Sequence, residues 1–358
     1  MAFVVNPTEH AMDIRTVLVC AAQVPLSHGG AEILAGELVA QLQRRGYQAD
    51  LVRLPFKWYP HEALFEHAAA WRLIDLSESG GQRIDRVIAT KFPSYFVRHP
   101  EKSIWLVHQH RAAYDLCGTP FCNDFEWTEM DVAARERLIA LDTQMIGEAR
   151  RVYTIGAVTS RRLERYNGIS APPLHHPPKL AGRLRPGPQG DYVLSVGRLE
   201  TLKRVELAVR AIARTRHLRL VVVGEGSQRG SLERLAEEMG AADRVDFRGT
   251  VDDEELIGLY SNALGVLFAP FDEDYGYVTL EAFLSAKPVV TCRDSGGVLE
   301  FVTDGVNGRV AEPDPTALAD ALETLAADRA RASAMGEAGR ELARRITWDG
   351  VIEKLLGA

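Results

Sequence analysis

With 358 residues, 46% of them hydrophobic and 25% charged, the chain is too long for most single cores and suits two domains. Its formal net charge of −7 argues against a nucleic-acid binder, which would be basic overall. Cys20, Cys117, Cys122 and Cys292 show no paired CxxC spacing and read as reduced structural thiols rather than metal ligands. The opening MAFVVNPTEHAMDIR has no basic region followed by an apolar run, and no apolar stretch approaches a membrane span. A cytoplasmic protein without a signal peptide is the expectation.

Residues 16–22 (TVLVCAA) read as a strand buried in a parallel sheet. A loop with Ser27, His28, Gly29 and Gly30 follows, then a helix whose inner face is Ala31, Leu34, Ala35, Leu38 and Leu42. Strand, glycine loop and helix make a generic anion-binding geometry, and equally a generic packing unit; both readings stand. Further strands at 49–54, 86–89 and 103–108 alternate with helical or irregular stretches, so a parallel sheet is expected. In SIWLVHQH the apolar run stops at His108, with His110 just beyond. Ligands of open α/β sheets bind past the carboxyl ends of strands, so either histidine is placed to meet one. The plain alternative is a histidine bonded to a neighbouring loop. Residues 57–74 (KWYPHEALFEHAAAWRLI) mix aromatic and basic side chains and suit a membrane interface or, more ordinarily, a solvated helix over a core. A long helix over 130–150, a strand at 151–155 and a basic helix over 160–166 complete this half.

Six prolines and three glycines in ISAPPLHHPPKLAGRLRPGPQGD, residues 169–191, cannot sustain a helix or a central strand. The domain boundary is expected near 178–190. A second buried strand, 192–197 (YVLSVG), then leads into GRLETLKR, and the next helix carries Val205, Ala208, Val209 and Ile212 on one face. Arg198 and Lys203 flank that helix start. Two cations beside a helix N-terminus suit a diphosphate, and a solvated first turn paired with Glu200 and Glu206 fits the spacing as well. The strand 218–224 runs into GEGSQRG, whose glycines at 224, 226 and 230 fall one residue off the dinucleotide fingerprint and follow a strand that is not the first of its domain.

Strands at 245–250 and 265–270, with a helix over 252–260 between them, precede FDEDYGYVTLEAFLSAK. There an acidic loop and Gly276 open a helix with Leu280, Phe283 and Leu284 on its core side. Glu273 in the loop and Glu281 on the helix therefore converge on one helix N-terminus, a place that otherwise favours anions. Two carboxylates there point to a ligand with hydroxyl groups. Asp272 and Asp274 form a literal DxD, too cheap a motif in this length to read as a metal site. A strand at 288–291, a glycine loop at 295–300 (SGGVLE), a strand at 308–312, helices over 316–345 and a final amphipathic helix in ITWDGVIEKLL close the chain.

These motifs resemble the family 4 retaining glycosyltransferases of glycosyl transferases group 1, which are nucleotide-sugar enzymes of the GT-B type. Glu273 to Glu281 matches the family's E-x7-E, Arg198 to Lys203 its R-x4-K, GGAE at 29–32 its GGxE loop, and SGGVLE its GG-x-x-E. The resemblance covers most of residues 14–356 and is strongest over 192–312. It implies an α/β fold of two Rossmann-like domains facing each other across a cleft: an acceptor-binding domain (1–178), a nucleotide-sugar-binding domain (179–345) and a C-terminal helix (346–358) crossing back. It further implies transfer of a sugar, with retained configuration and without metal or bound cofactor, from a nucleotide diphosphate sugar (UDP- or GDP-sugar foremost). The acceptor would be a glycan, a lipid-linked molecule or a small molecule. Glu273, His108, Arg198 and Lys203 take the catalytic positions. Gly29, Gly30, Gly197, Gly224, Glu225, Gly226, Tyr275, Gly276, Tyr277, Val278 and Glu281 join Arg198, Lys203 and Glu273 around the donor. Tyr277 departs from the family, which often has an aliphatic residue there, so donor identity stays open. A non-hydrolysing nucleotide-sugar epimerase of the same architecture and a binding protein without turnover are the alternatives. Partners would be donor and acceptor, no nucleic acid, and a membrane surface at the inner face if residues 57–74 dock on one.

Overall fold

The structure is a computed structural model that describes residues 14–26, 29–122 and 124–357. The expectations for the N-terminal leader, Ser27 and His28 lie outside the described residues. Contacts divide the chain into two compact units. The first takes the chain up to Gln109, Glu136–Tyr153 and everything from Trp348; the second takes His110–Arg135 and Thr154–Thr347.

The first unit runs β1 (Thr16–Gln23), α1 (Gly30–Arg44), β2 (Gln48–Pro55), α2 (Glu62–Leu73), the short strands β3 (Glu78–Ser79) and β4 (Gln82–Arg83), β5 (Arg86–Ala89) and β6 (Lys102–Leu106), with most of α3 (Glu129–Gly147, which starts in the second unit) and of β7 (Arg151–Thr154, which ends in it). Its sheet has the order β2-β1-β5-β6-β7, and β1 pairs in parallel with both β2 and β5. Val17, Val19 and Cys20 are fully buried, as befits a strand covered on both faces. β3 and β4 form an antiparallel hairpin that turns on Gly80 and Gly81, both at positive φ. Two-residue strands carry no periodicity, so the pattern of the chain gives no sign of them. Inside β6, Lys102 is buried and donates to the carbonyls of Tyr95 (3.0 Å) and Met145 (2.9 Å). Burial pulls its ammonium down to about 8.

The second unit contains α4 (Ala157–Asn167), β8 (Tyr192–Val196), α5 (Val205–Arg214), β9 (Arg219–Val223), α6 (Arg229–Glu238), β10 (Val245–Gly249), α7 (Asp253–Asn262), β11 (Gly265–Leu267), α8 (Tyr277–Leu284), β12 (Val289–Cys292), β13 (Gly308–Ala311), α9 (Pro315–Ala327) and α10 (Arg329–Ala343). Its six-stranded sheet, β10-β9-β8-β11-β12-β13, is parallel at every pairing. α5 buries Val205, Ala208, Val209, Ala211 and Ile212 against a core that includes Leu220, Val222, Leu318 and Leu322. The last helix, α11 (Trp348–Leu356), belongs to the first unit: Trp348 meets Trp105 edge-on at 6.1 Å, and the Leu355 carbonyl accepts from Ser103 Oγ.

The chain last enters the second unit at Tyr153/Thr154, ahead of the expected 178–190. The proline-rich stretch is fastened onto the second unit. Thr154 pairs with Pro173, and the buried Lys287 donates to the carbonyls of Gly187 (3.0 Å) and Pro188 (2.9 Å). Composition marks this stretch as irregular, and irregular backbone packs as firmly as a helix when its carbonyls find donors. No helix among the described residues is long and apolar enough to cross a membrane.

Candidate functional site

In the second sheet the chain steps outward from β8 to β10 and then restarts on the other side of β8, at β11. Such a reversal of strand order is where open parallel sheets place a crevice at their carboxyl edge. The loops leaving β8 and β11 both carry residues singled out by the sequence: 197–203 after β8 and 268–276 after β11.

The two loops meet through an ion pair between Lys203 Nζ and Glu273 Oε2. Lys203 also lies over the Phe268 ring, 5.8 Å from its centre. Glu200 accepts instead from Ser227, from its backbone N–H (3.1 Å) and its hydroxyl (2.7 Å), so the reading in which Lys203 pairs with Glu200 or Glu206 is set aside. Arg198 is exposed, and its side chain has no partner among the described residues. Arg204, which the sequence pattern did not single out, is buried at φ 48° and turns the chain. Its guanidinium grips Asp294 at 2.8 and 2.6 Å and donates to the carbonyls of Ala269 and Pro270, both at 2.9 Å. Arg204 thereby ties the start of α5 to the end of β11 while Lys203 reaches Glu273.

Gly224 and Gly226 serve the packing of adjacent loops, while a Cβ on Gly197 would meet nothing within 4 Å. A Cβ on Gly224 would lie 1.9 Å from the Gly197 carbonyl oxygen, and one on Gly226 would lie 2.4 Å from that of Leu199. The expected donor-side role of this glycine pair therefore shares its residues with a plain steric demand. Glu225 pairs with Arg229.

Gly276, at φ 81°, is the N-cap of α8 and offers no side chain to cap the helix. Glu281, one turn into α8, accepts from the Tyr260 hydroxyl at 2.8 Å. Burial raises the Glu281 carboxyl above its ordinary value, although the Tyr260 bond acts in the opposite direction. Tyr275 points into the protein: its hydroxyl donates to the His176 carbonyl (2.5 Å) and accepts from the His176 N–H (2.8 Å), and its ring stacks on the His176 ring. Tyr277 packs edge-on against the same imidazole, and Val278 is buried. The GG-x-x-E segment lies alongside. Gly297 N–H donates to the Glu273 carbonyl, and Glu300 accepts from the N–H groups of Ala157 (2.8 Å) and Val158 (2.9 Å) and lies 2.9 Å from His175 Nε2.

The two aspartates of the DxD are engaged by cations. Asp274 lies 2.7 Å from Arg162, and Asp272 lies 3.0 Å from Arg111. Guanidinium groups thus supply the counter-charge of both aspartates.

In the first unit, His108 is half-buried two residues beyond β6, with Nδ1 2.7 Å from the Gln109 carbonyl. His110 belongs to the second unit, where its ring meets Phe125. Gly29 N–H donates to Glu32 Oε2 at 2.9 Å and precedes Gly30, the first residue of α1; Glu32 also pairs with Lys91, at the carboxyl end of β5. Burial opposes ionisation of Glu32, yet Lys91 and the N–H bonds hold its carboxyl below the ordinary value. Lys91 and Glu32 occupy the strand-order reversal of the first sheet as Lys203 and Glu273 occupy that of the second; only the topology singles out Lys91.

Residues 182–342 match the family model of glycosyl transferases group 1. The D-inositol 3-phosphate glycosyltransferase of Stackebrandtia nassauensis is 37% identical over 197 residues, 50% of this chain and 44% of that protein. The chain spans about half the length of the curated relatives it matches. Among solved structures, sucrose-phosphate synthase from Thermosynechococcus elongatus superposes with a TM-score of 0.75 at 20% identity, covering 95% of this chain and 97% of that one. Anabaena HepE in complex with UDP-glucose gives 0.70 at 16% identity, covering 96% and 98%. Residues 182–342 are therefore a glycosyl transferases group 1 domain, carried on a chain with the α/β fold of the GT-B glycosyltransferases.

Proposed function

We propose that the second unit binds a nucleotide diphosphate sugar at the crevice between β8 and β11, and that the protein transfers the sugar to an acceptor with retained anomeric configuration. The Lys203–Glu273 pair carries this reading, because it places a diphosphate-binding cation against a carboxylate that accepts from sugar hydroxyls. An entering diphosphate takes over the Lys203 ammonium and leaves the Glu273 oxygens to the sugar. The side-chain-free N-terminus of α8 adds a partial positive charge, and the Arg198 fork suits a phosphate. Glu281, held by Tyr260, accepts from the ribose hydroxyls. In the transfer the acceptor oxygen bonds to the anomeric carbon as the sugar–phosphate bond breaks. The acceptor proton passes to the departing phosphate oxygen on the same face. Stabilising that departing charge is the main task of Arg198 and Lys203. On the first unit, His108 and, at the start of α1, Gly29 and Gly30 are the residues proposed to contact ligand. Engagement of Asp272 and Asp274 by arginines supports chemistry without a metal.

A thermal-shift screen against UDP, GDP, ADP and TDP sugars tests the donor assignment. Stabilisation follows RT ln(1 + [L]/Kd), about 2.7 kcal/mol at a hundredfold excess over Kd. One nucleotide should stand out, with no requirement for divalent cations; a flat response to all of them overturns the reading. NMR of the product then reports anomeric configuration, and a donor incubated without acceptor exposes an epimerase. Because a curated relative is named for D-inositol 3-phosphate, a phosphorylated polyol is the first acceptor to offer, ahead of glycans and lipid-linked molecules.

We also propose peripheral contact of the first unit with a membrane surface. Leu26 and Tyr59 follow the paired ends of β1 and β2, and both are exposed, with Lys57 over the Tyr59 ring at 4.8 Å. Co-sedimentation with anionic vesicles, lost in Leu26→Ser/Tyr59→Ser, is the expected outcome; equal sedimentation of the two proteins rules it out.

A further inference from the structure

We infer that Arg111 and Arg162 are positioning residues that aim Glu273 at the donor by clamping the aspartates on either side of it. The inference rests on the donor-site reading above. Within the segment 272–274 the middle carboxylate and its two neighbours engage different partners. Glu273 turns to Lys203, whereas Asp272 and Asp274 turn the other way, to two arginines.

The clamp is built from distant parts of the second unit. Arg162, on α4, has a side chain only 3% exposed; it reaches Asp274 at 2.7 Å, Asp115 at 2.9 Å and Asp272 at 3.7 Å. Arg111 reaches Asp272 at 3.0 Å and Asp274 at 3.5 Å, and it also pairs with Asp115. The Phe271 ring stacks on Phe121 with centres 4.4 Å apart, adding an apolar anchor from the same segment as Arg111. Asp272 sits at φ 41°, a left-handed conformation that a non-glycine residue holds only when its surroundings over-determine it. On the backbone side, Asp272 N–H donates to the Asp294 carbonyl (2.8 Å) and Gly297 N–H to the Glu273 carbonyl (2.6 Å).

Two guanidinium groups face three carboxylates, so the cluster tolerates loss of a cation badly. Removing one arginine leaves three part-buried carboxylates around a single guanidinium, and their repulsion drives the loop out of place. The clamp's ion pairs described above end on Asp115, Asp272 and Asp274 rather than on Lys203 or Glu281, so nucleotide binding and loop aim are expected to separate.

The test compares wild type with Arg162→Gln/Asp274→Asn, which removes one charge of each sign and so spares the fold the unpaired charge that Arg162→Ala would leave. The expected result is a UDP or GDP Kd within threefold of wild type, a donor KM little changed and kcat lower by thirtyfold or more. Hydrogen exchange should rise in peptides covering 271–276 and 295–300, where the Gly297 amide is protected by Glu273. Wild-type kcat together with unchanged exchange overturns the inference. A kcat loss matched by an equal loss of nucleotide affinity also overturns it, because the cluster would then be merely structural. If the wild-type protein transfers no sugar at all, the donor-site reading fails instead, and exchange alone decides the clamp: faster exchange upholds it, unchanged exchange refutes it.

Discussion

The ammonium of Lys203 rests on the carboxylate of Glu273, 70 residues further along the chain, and joins the loops that leave β8 and β11. In the proposed reaction each group occupies the other until a ligand separates them. Glu273→Gln should therefore bind UDP or GDP at least as tightly as wild type, since Lys203 is released, while turnover falls on the order of a hundredfold. Lys203→Gln should weaken nucleotide binding and turnover together. Titration calorimetry beside initial rates separates the two; loss of nucleotide affinity in Glu273→Gln contradicts the assigned roles.

Under the proposed function Glu281 trades stability for a ligand contact. Its folded-state carboxyl is raised by burial, so its contribution to stability is complete below the ordinary value near 4.5 and is lost as pH rises through the raised value. At pH 7 to 8, Glu281→Gln, which keeps an acceptor for Tyr260, should melt higher than wild type and bind nucleotide more weakly. Calorimetric melting across pH 4 to 8 checks the sign: the advantage of the variant must shrink on acidification.

Tyr260→Phe removes the hydroxyl that lowers the Glu281 carboxyl against the larger effect of burial. The carboxyl then rises further, and the acid limb of nucleotide binding moves to higher pH. An affinity loss of about 3- to 10-fold at pH 7 is expected, comparable to one hydrogen bond of roughly 1 kcal/mol. A pH profile of Kd identical to wild type counts against the contact.

Glu300 has the opposite sign. Burial opposes its ionisation, but His175 and the N–H groups of Ala157 and Val158 outweigh that and hold the carboxyl below its ordinary value. Its contribution is present above about pH 4.5 and is lost as pH falls through the depressed value. Glu300→Ala should cost about 1–2 kcal/mol in urea denaturation at pH 7, the scale of a lost helix cap, and the gap to wild type should close below pH 4.

Gly224→Ala tests the steric reading of the glycine loop. With φ at 132° and the Gly197 carbonyl oxygen 1.9 Å from the new Cβ, the β8 and β9 loops must part. A loss of about 1–3 kcal/mol is expected, with lower nucleotide affinity because Arg198 and Lys203 ride on the displaced loop. An unchanged melting temperature contradicts it.

Much of this protein is local and therefore readable along the chain. The apolar runs of β1, β8 and β9, the buried faces of α1 and α5, and the glycine opening α8 follow from side-chain period and backbone freedom, which act within a few residues. The spacing of Glu273 and Glu281 about one helix start belongs to the same class. What only the tertiary structure decided is partnership. Lys203 takes Glu273 and not the nearby Glu200, and Arg204 takes Asp294, 90 residues away. Arg111 and Arg162 claim the two aspartates that a linear reading sets aside as a chance DxD, and buried Lys287 binds the proline-rich stretch to the second unit. A charge buried by the fold must find a counter-charge or a carbonyl wherever the strand order brings one, and that order is set by the packing of whole sheets rather than by neighbours in sequence.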